Sequence, residues 1–266
     1  YIGVGSLYEA LLKIKLEYLL LAFLMYFGIN LFFTIRLRRV LAKDGVKTSF
    51  GKTLLAQYAG MLTSDVTPGR SGYILTPVYL KDQNVPASKA LSSILGIQTI
   101  EFLIKVIGGV GAAIFLLQVV PAGNWPTATI LGVNVTFFVI GLGIALMLVG
   151  AIFLAAFSWS ERAISIFDRI ANSRYLKRFT GGIIGKLEEY KDSAQKTRSA
   201  IPEILGLTMV CWILKGLEWY FLAAALDISI SDNLGIALLG FFLIHPLVTA
   251  LAFVPITPAG AGVQEF

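Results

Sequence analysis

The sequence predicts an all-α, polytopic membrane protein, and three observations predict it. Hydrophobic residues make up 56% of the chain and charged residues 14%, with a mean hydropathy of +0.78. Soluble domains hold about 45–50% apolar and about 25% charged residues. The apolar excess is concentrated in runs such as 18–35, 107–120, 130–157 and 234–254. Such lengths approach the roughly 20 residues that cross a bilayer core at about 1.5 Å per residue. These runs do not alternate polar with apolar residues, which excludes a β-barrel.

The elements follow in order. Residues 15–35 read as a first span. A basic loop comes next, with Arg36, Arg38, Arg39, Lys43, Lys47 and Lys52 against a single acid, Asp44. Residues 50–80 are not an ordinary span. Their apolar stretch 54–62 is too short to cross, is broken by Thr63-Ser64-Asp65-Val66-Thr67-Pro68-Gly69-Arg70-Ser71-Gly72, and resumes at 73–80. Two half-length helices around a Pro/Gly break read as a re-entrant hairpin.

Residues 88–119 read as a second full span carrying Glu101 and Lys105. The loop 121–127 holds no charge and one tryptophan, Trp125, as an interface anchor. Residues 128–157 read as a third span. Residues 158–200 hold nine Lys/Arg and five Asp/Glu, and Ile164, Phe167, Ile170 and Ala171 share a helical face. That segment reads as a solvated loop with an amphipathic helix on the membrane surface, with anionic head groups as the weaker reading. Pro202 suits the first turn of a fourth span at 204–226. A fifth element at 234–254, interrupted at His245-Pro246, leads into Pro255-Ile256-Thr257-Pro258-Ala259-Gly260-Ala261-Gly262-Val263-Gln264-Glu265.

Loops rich in Lys and Arg stay on the cytoplasmic side. The rule places 36–52 and 158–200 inside, and 121–127 and 227–233 outside. A hairpin at 50–80 returns to its starting side, which keeps this alternation consistent. The net charge of +6 is therefore read as a topology signal, not as a nucleic-acid footprint. The chain is read as a single transmembrane domain over 1–266, with repeat one at about 15–157, the cytoplasmic amphipathic segment at 158–200 and repeat two at about 201–266. It stops inside the second motif, and further membrane sequence is expected beyond it.

The two broken segments resemble each other. Thr67, Pro68, Gly69 and Gly72 correspond to Thr257, Pro258, Ala259 and Gly262, with Gly260 inside the second motif. Three spans, an odd number, separate them, so the second hairpin would enter from the opposite face. That is an inverted-topology repeat, with a substrate site near the midplane. Proline removes a backbone donor and glycine loosens the helix. Freed backbone groups survive in a membrane only where protein or a cavity satisfies them. The alternative is two kinked helices of chance similarity.

Asp65, Arg70, Glu101, Lys105, Lys215, Glu218, His245 and Glu265 lie within apolar segments. A charge at the bilayer centre costs roughly 2.5–3.5 kcal/mol on the mildest scale, which implies pairing or a polar cavity. Glu101 and Lys105 share a helix face at i,i+4, as do Lys215 and Glu218 at i,i+3; self-neutralisation is the plainer reading of both. Arg70 suits a phosphate, because its planar fork matches phosphate oxygens. The alternative is an ion pair of Arg70 with Asp65, Glu101 or Glu265. His245 reads as a packing residue before a proton relay. Cys211 reads as a buried, inert thiol. One histidine and the absence of ligand-like spacing argue for no metal and no cofactor.

At these motifs the sequence resembles the flippase-like family that includes the transmembrane region of lysylphosphatidylglycerol synthases (MprF-, YbhN- and AglD-type proteins). Family members carry P-x-R-x-G-E, then an acidic residue on the next span, then P-x-x-P-G-G-x-G-x-x-E. Here Pro68, Arg70 and Gly72, then Glu101, then Pro255, Pro258, Gly260, Gly262 and Glu265 stand at those positions. Tyr73 replaces a glutamate and Ala259 a glycine, and Phe102 and Lys105 depart from the family pattern after the acid.

The resemblance implies a flippase or transporter for a lipid with an anionic or phosphate-bearing head group, in the plasma membrane of a prokaryote. Arg70 and hairpin N–H groups would hold the phosphate, and Asp65, Glu101, Lys105 and Glu265 would shape the cavity. Two other functions remain open. One is an integral-membrane glycosyltransferase using Asp65 or Glu101 as base. The other is a scaffold for lipid-synthesis enzymes. Assembly into a homo-oligomer also stays open.

Overall fold

The computed structural model describes residues 13–65, 67, 72–73, 75–119, 129–130, 133–134, 136–160, 162, 165–166 and 184–252. They form α1 (Leu16–Lys43), α2 (Phe50–Asp65), α3 (Thr76–Tyr79), a 3₁₀ turn (Lys81–Gln83), α4 (Ala87–Val119), α5 (Thr136–Trp159), α6 (Ile184–Ser199), α7 (Ile201–Ala225) and α8 (Leu234–Ala252). Five of these helices (α1, α4, α5, α7 and α8) are long and apolar enough to cross a membrane. Four of them (α1, α4, α5 and α7) fall where the sequence places full spans; α8, read there as an interrupted element leading into the second motif, is the fifth.

Helix α1 does not stop at residue 35. It runs 28 residues, about 42 Å at about 1.5 Å per residue, so Arg36, Arg38, Arg39 and Lys43 belong to its last turns and not to a loop. Lysine and arginine are good helix formers, and cations favour a helix C-terminus. The helix ends at Gly45, whose φ of +74° suits a residue without Cβ. Gly45 N–H donates to Ala42 O and Val46 N–H to Leu41 O, at 3.0 and 2.9 Å. This satisfies two of the last carbonyls.

Helices α1 and α7 make the most extensive helix pair, and they are antiparallel. Lys15, at the start of α1, pairs with Asp227 just past the end of α7. Lys43, at the end of α1, pairs with Glu203 in the first turn of α7 at 2.8 Å. Pro202 sits in that first turn as its missing N–H allows.

After α2 the chain doubles back. A Cβ on Gly72 would lie 2.3 Å from the Thr63 carbonyl carbon, and one on Gly60 would lie 2.3 Å from Thr76 Oγ1. Ser49 N–H donates to Gln83 Oε1 at 2.9 Å, which joins the two ends of the excursion. The two arms are unequal, contrary to expectation. Among the described residues, α2 has 16 residues, whereas the α-helix of the return arm, α3, has four and is followed by the three-residue 3₁₀ turn.

Helix α4 is the hub and touches α1, α3, α5, α6, α7 and α8. Small residues permit close approach. Gly96 faces Thr197 of α6, Gly108 faces the ring of Pro246, and across α5 and α8 Gly143 faces the Ala250 carbonyl. The expected third span also begins later than residue 128. Thr129–Ile130 and Val133–Asn134 pair as two-residue antiparallel strands, and the helix starts at Thr136.

Within 158–200, residues 184–199 are a helix docked on α4, with Tyr190, Ser193, Ala194 and Thr197 buried. Ser88 donates to Glu189 at 2.5 Å, and Lys196 pairs with buried Asp44 at 2.9 Å. That hydrogen bond holds the Lys196 ammonium above its ordinary pKa. Burial pushes the Tyr190 hydroxyl up to about 12, and it donates to Phe157 O at 3.3 Å. The amphipathic face read at Ile164, Phe167, Ile170 and Ala171 lies outside the described residues.

Pro246 does not interrupt α8, which runs 19 residues through it. A proline leaves the carbonyl four residues earlier without its donor. Here that carbonyl is Phe242 O, and the Trp212 indole N–H of α7 donates to it at 2.8 Å. Trp212→Phe keeps the ring but orphans the carbonyl. An expected loss of about 1–3 kcal/mol can be read from unfolding of the detergent-solubilised protein.

Candidate functional site

The helix bundle holds a partly open cavity of about 110 Å³, lined by apolar side chains with a few charged and polar ones among them. Helix α1 contributes Tyr26, Ile29 and Phe33, and α4 contributes Gln98, Glu101, Phe102, Ile104 and Lys105. Helix α7 lines it with Thr208, Cys211, Trp212 and Lys215, and α8 with His245 and Thr249. Met61 and Tyr73 close it from the two arms of the chain reversal. Phe33, Tyr73, Gln98 and Glu101 also line a smaller adjoining space bounded by Arg36 and Gln57.

The chemistry of this cavity lies in a buried charge cluster. The Glu101 carboxylate accepts from Lys105 Nζ at 2.9 Å and from Arg36 Nη2 at 3.0 Å. Arg36 Nη1 donates to Thr208 Oγ1 at 2.7 Å, and the guanidinium lies over the Phe33 ring at 4.7 Å. The Arg36 and Lys105 side chains are only 3% and 13% exposed, and Glu101 is 14% exposed. Among the described residues, one carboxylate between two cations leaves this cluster a net charge of +1 in a low-dielectric interior. Such a charge is costly without a counter-ion. Arg36 Nε is buried and has no partner among the described residues, so one donor of the fork is unused.

Lys215 differs. It donates to both oxygens of Glu218, at 2.9 and 2.8 Å, and lies 5.8 Å from the Tyr26 ring centroid. This i,i+3 pair neutralises itself, as the spacing suggests.

The structure thus brings Glu101 and Lys105 together on the cavity wall, and it adds Arg36. The sequence reading passed over Arg36 as the first charge of a basic loop. The signal was its helical register, because Ile29, Phe33 and Arg36 follow at i, i+4 and i+7 on one face. Thr208 had no such signal, since only the packing of α7 on α1 brings it to the guanidinium.

Of the first motif, Thr67 and Gly72 are described. The Thr67 hydroxyl donates to Thr63 O at 2.9 Å and accepts the Gly72 N–H at 2.8 Å, so the motif is fastened to the end of α2. Asp65 closes α2, and its side chain lies outside the described residues. So do Pro68, Gly69, Arg70, Thr257, Pro258, Gly260, Gly262 and Glu265.

Comparison with known proteins agrees with this architecture. The family described as lysylphosphatidylglycerol synthase TM region matches residues 1–266. A UPF0104 membrane protein of Pyrococcus horikoshii is 19% identical over 281 residues, which span 99% of this chain and 78% of that protein. No solved structure matches.

Proposed function

This chain belongs to the lysylphosphatidylglycerol synthase TM-region family, and on that premise we propose that it moves a phosphate-bearing lipid across the membrane. The head group occupies the cavity among α1, α4, α7 and α8 while its tails stay in the surrounding lipid. One observation carries this reading. The buried Arg36–Glu101–Lys105 cluster keeps a net positive charge inside a membrane-spanning bundle, and a phosphate is the counter-ion that would neutralise it. Planar guanidinium and ammonium donors both suit phosphate oxygens.

The antiparallel pairing of α1 with α7, the first helices of the two proposed repeats, supports an inverted-topology plan. The close return of Gly72 onto Thr63 supports a re-entrant hairpin, and Arg70 of the first motif is proposed as a second phosphate contact. The excess of Lys and Arg at 38–52, beyond the buried Arg36, and at 158–200 supports a cytoplasmic side for these segments.

Proteoliposomes carrying a labelled phosphate-bearing lipid test this function. The wild-type protein should accelerate transbilayer movement, and Arg70→Ala should abolish it. Lys105→Gln removes a charge-assisted contact worth about 1.5–3 kcal/mol, so the rate should fall about tenfold to a hundredfold. Undiminished movement in both variants refutes the assigned roles.

A further inference from the structure

We propose that a surface groove where α5 ends against α4, α6 and the start of α7 is a second lipid site, holding one anionic phospholipid outside the central cavity. The groove has two halves. The polar half, about 470 Å³, is lined by Ser158, Lys191, Asp192, Gln195 and Arg198. The apolar half, about 550 Å³, is lined by Leu103, Ile152, Ala155, Ala156 and Ile201. Trp159 and Arg198 line both halves, so the two are continuous. Each lies within the roughly 300–1,000 Å³ of ordinary ligand pockets.

Its position in the bundle selects the occupant. Trp159 is the last residue of a membrane-crossing helix, so the groove straddles the boundary between hydrocarbon and head groups, where tryptophan concentrates. The apolar half extends back along the span through Ile152, Ala155 and Ala156. The polar half lies on α6, which is not one of the membrane-crossing helices. An acyl chain fits the first environment and a head group the second.

Charge decides which head group. Lys191 and Arg198 stand two helical turns apart on α6, and neither has an ion-pair partner among the described residues. Among the described residues Asp192 is the one carboxylate lining the polar half, and it also faces Lys196, which is committed to Asp44. Among the described lining residues the groove therefore carries a net charge of +1. A lipid phosphate without a cationic head group satisfies that charge, whereas a zwitterionic lipid brings its own cation. This site does not depend on the transport reading, because it shares no residue with the central cavity.

Native mass spectrometry of the full chain in detergent tests it, titrating phosphatidylglycerol against phosphatidylcholine. The wild type should retain phosphatidylglycerol in preference. Each Lys or Arg near an anionic lipid surface contributes about a factor of five. Lys191→Gln with Arg198→Gln should thus bind this lipid about thirtyfold more weakly. Ala156→Phe fills the apolar half without changing charge, and it should weaken binding as well. Lipid held in the central cavity is read separately with Lys105→Gln, in whose background the two groove variants should weaken binding by the same factors as in the wild type. Equal retention of the two lipids by the wild type, or unchanged phosphatidylglycerol affinity in the double variant, overturns the proposal. An effect of the charge variant with none from Ala156→Phe reduces the site to surface electrostatics and also overturns it.

Discussion

Replacing Glu101 with glutamine should destabilise the bundle by about 3–5 kcal/mol, because it strands two buried cations. Arg36 and Lys105 both depend on that carboxylate, at 3.0 and 2.9 Å. The loss should appear as a lower midpoint in thermal or denaturant unfolding of the detergent-solubilised protein. Glu101→Asp should sit between wild type and glutamine, since the charge remains but the shorter side chain cannot keep both contacts. Glu101→Gln combined with Arg36→Gln should cost less than the sum of its parts, the mark of a direct pair. Additive losses would mean that α1 and α4 are not joined through this contact.

The second large effect is expected at Gly72. A Cβ there would lie 2.3 Å from the Thr63 carbonyl carbon and 2.4 Å from Ser64 N. Both obstacles are backbone atoms, so no rotamer change relieves them, and Gly72→Ala must open the chain reversal. Overpacking of this kind costs about 1–3 kcal/mol or more. It would also displace neighbouring Tyr73 from the cavity wall. The expected result is a marked loss of lipid movement with a moderate loss of stability. Wild-type movement in Gly72→Ala would show that the tight return is dispensable.

These two positions also indicate how much the sequence revealed. Glu101 and Lys105 were legible as a pair, because i,i+4 spacing on a helix is a local relation. Gly72 was legible as part of a Pro/Gly break. Arg36 was not, because charge patterning files it with Arg38, Arg39 and Lys43. Only the folded bundle separates the one that points inward, at 2% exposure, from those that do not.

The spans at α1, α4, α5 and α7 were legible from hydropathy, since length and apolarity are local properties, and α8 was legible as an apolar segment. Their ends and interruptions were not. Helix α1 continues through its charges to Lys43. The third span starts after a short strand pair, at Thr136. Helix α8 passes through Pro246 because Trp212, thirty-four residues earlier, supplies the donor the proline lacks. In each case the deciding partner lies on another element or beyond the reach of a sequence window.

The central claim is that the buried positive cluster receives a lipid phosphate. The most direct test is a cryo-EM map of the wild-type protein in nanodiscs containing the transported lipid class. Phosphate density is expected in the cavity among α1, α4, α7 and α8, within hydrogen-bonding distance of Lys105 Nζ or the Arg36 guanidinium. Ordered lipid confined to the outer surface, with only water beside Glu101, would contradict it.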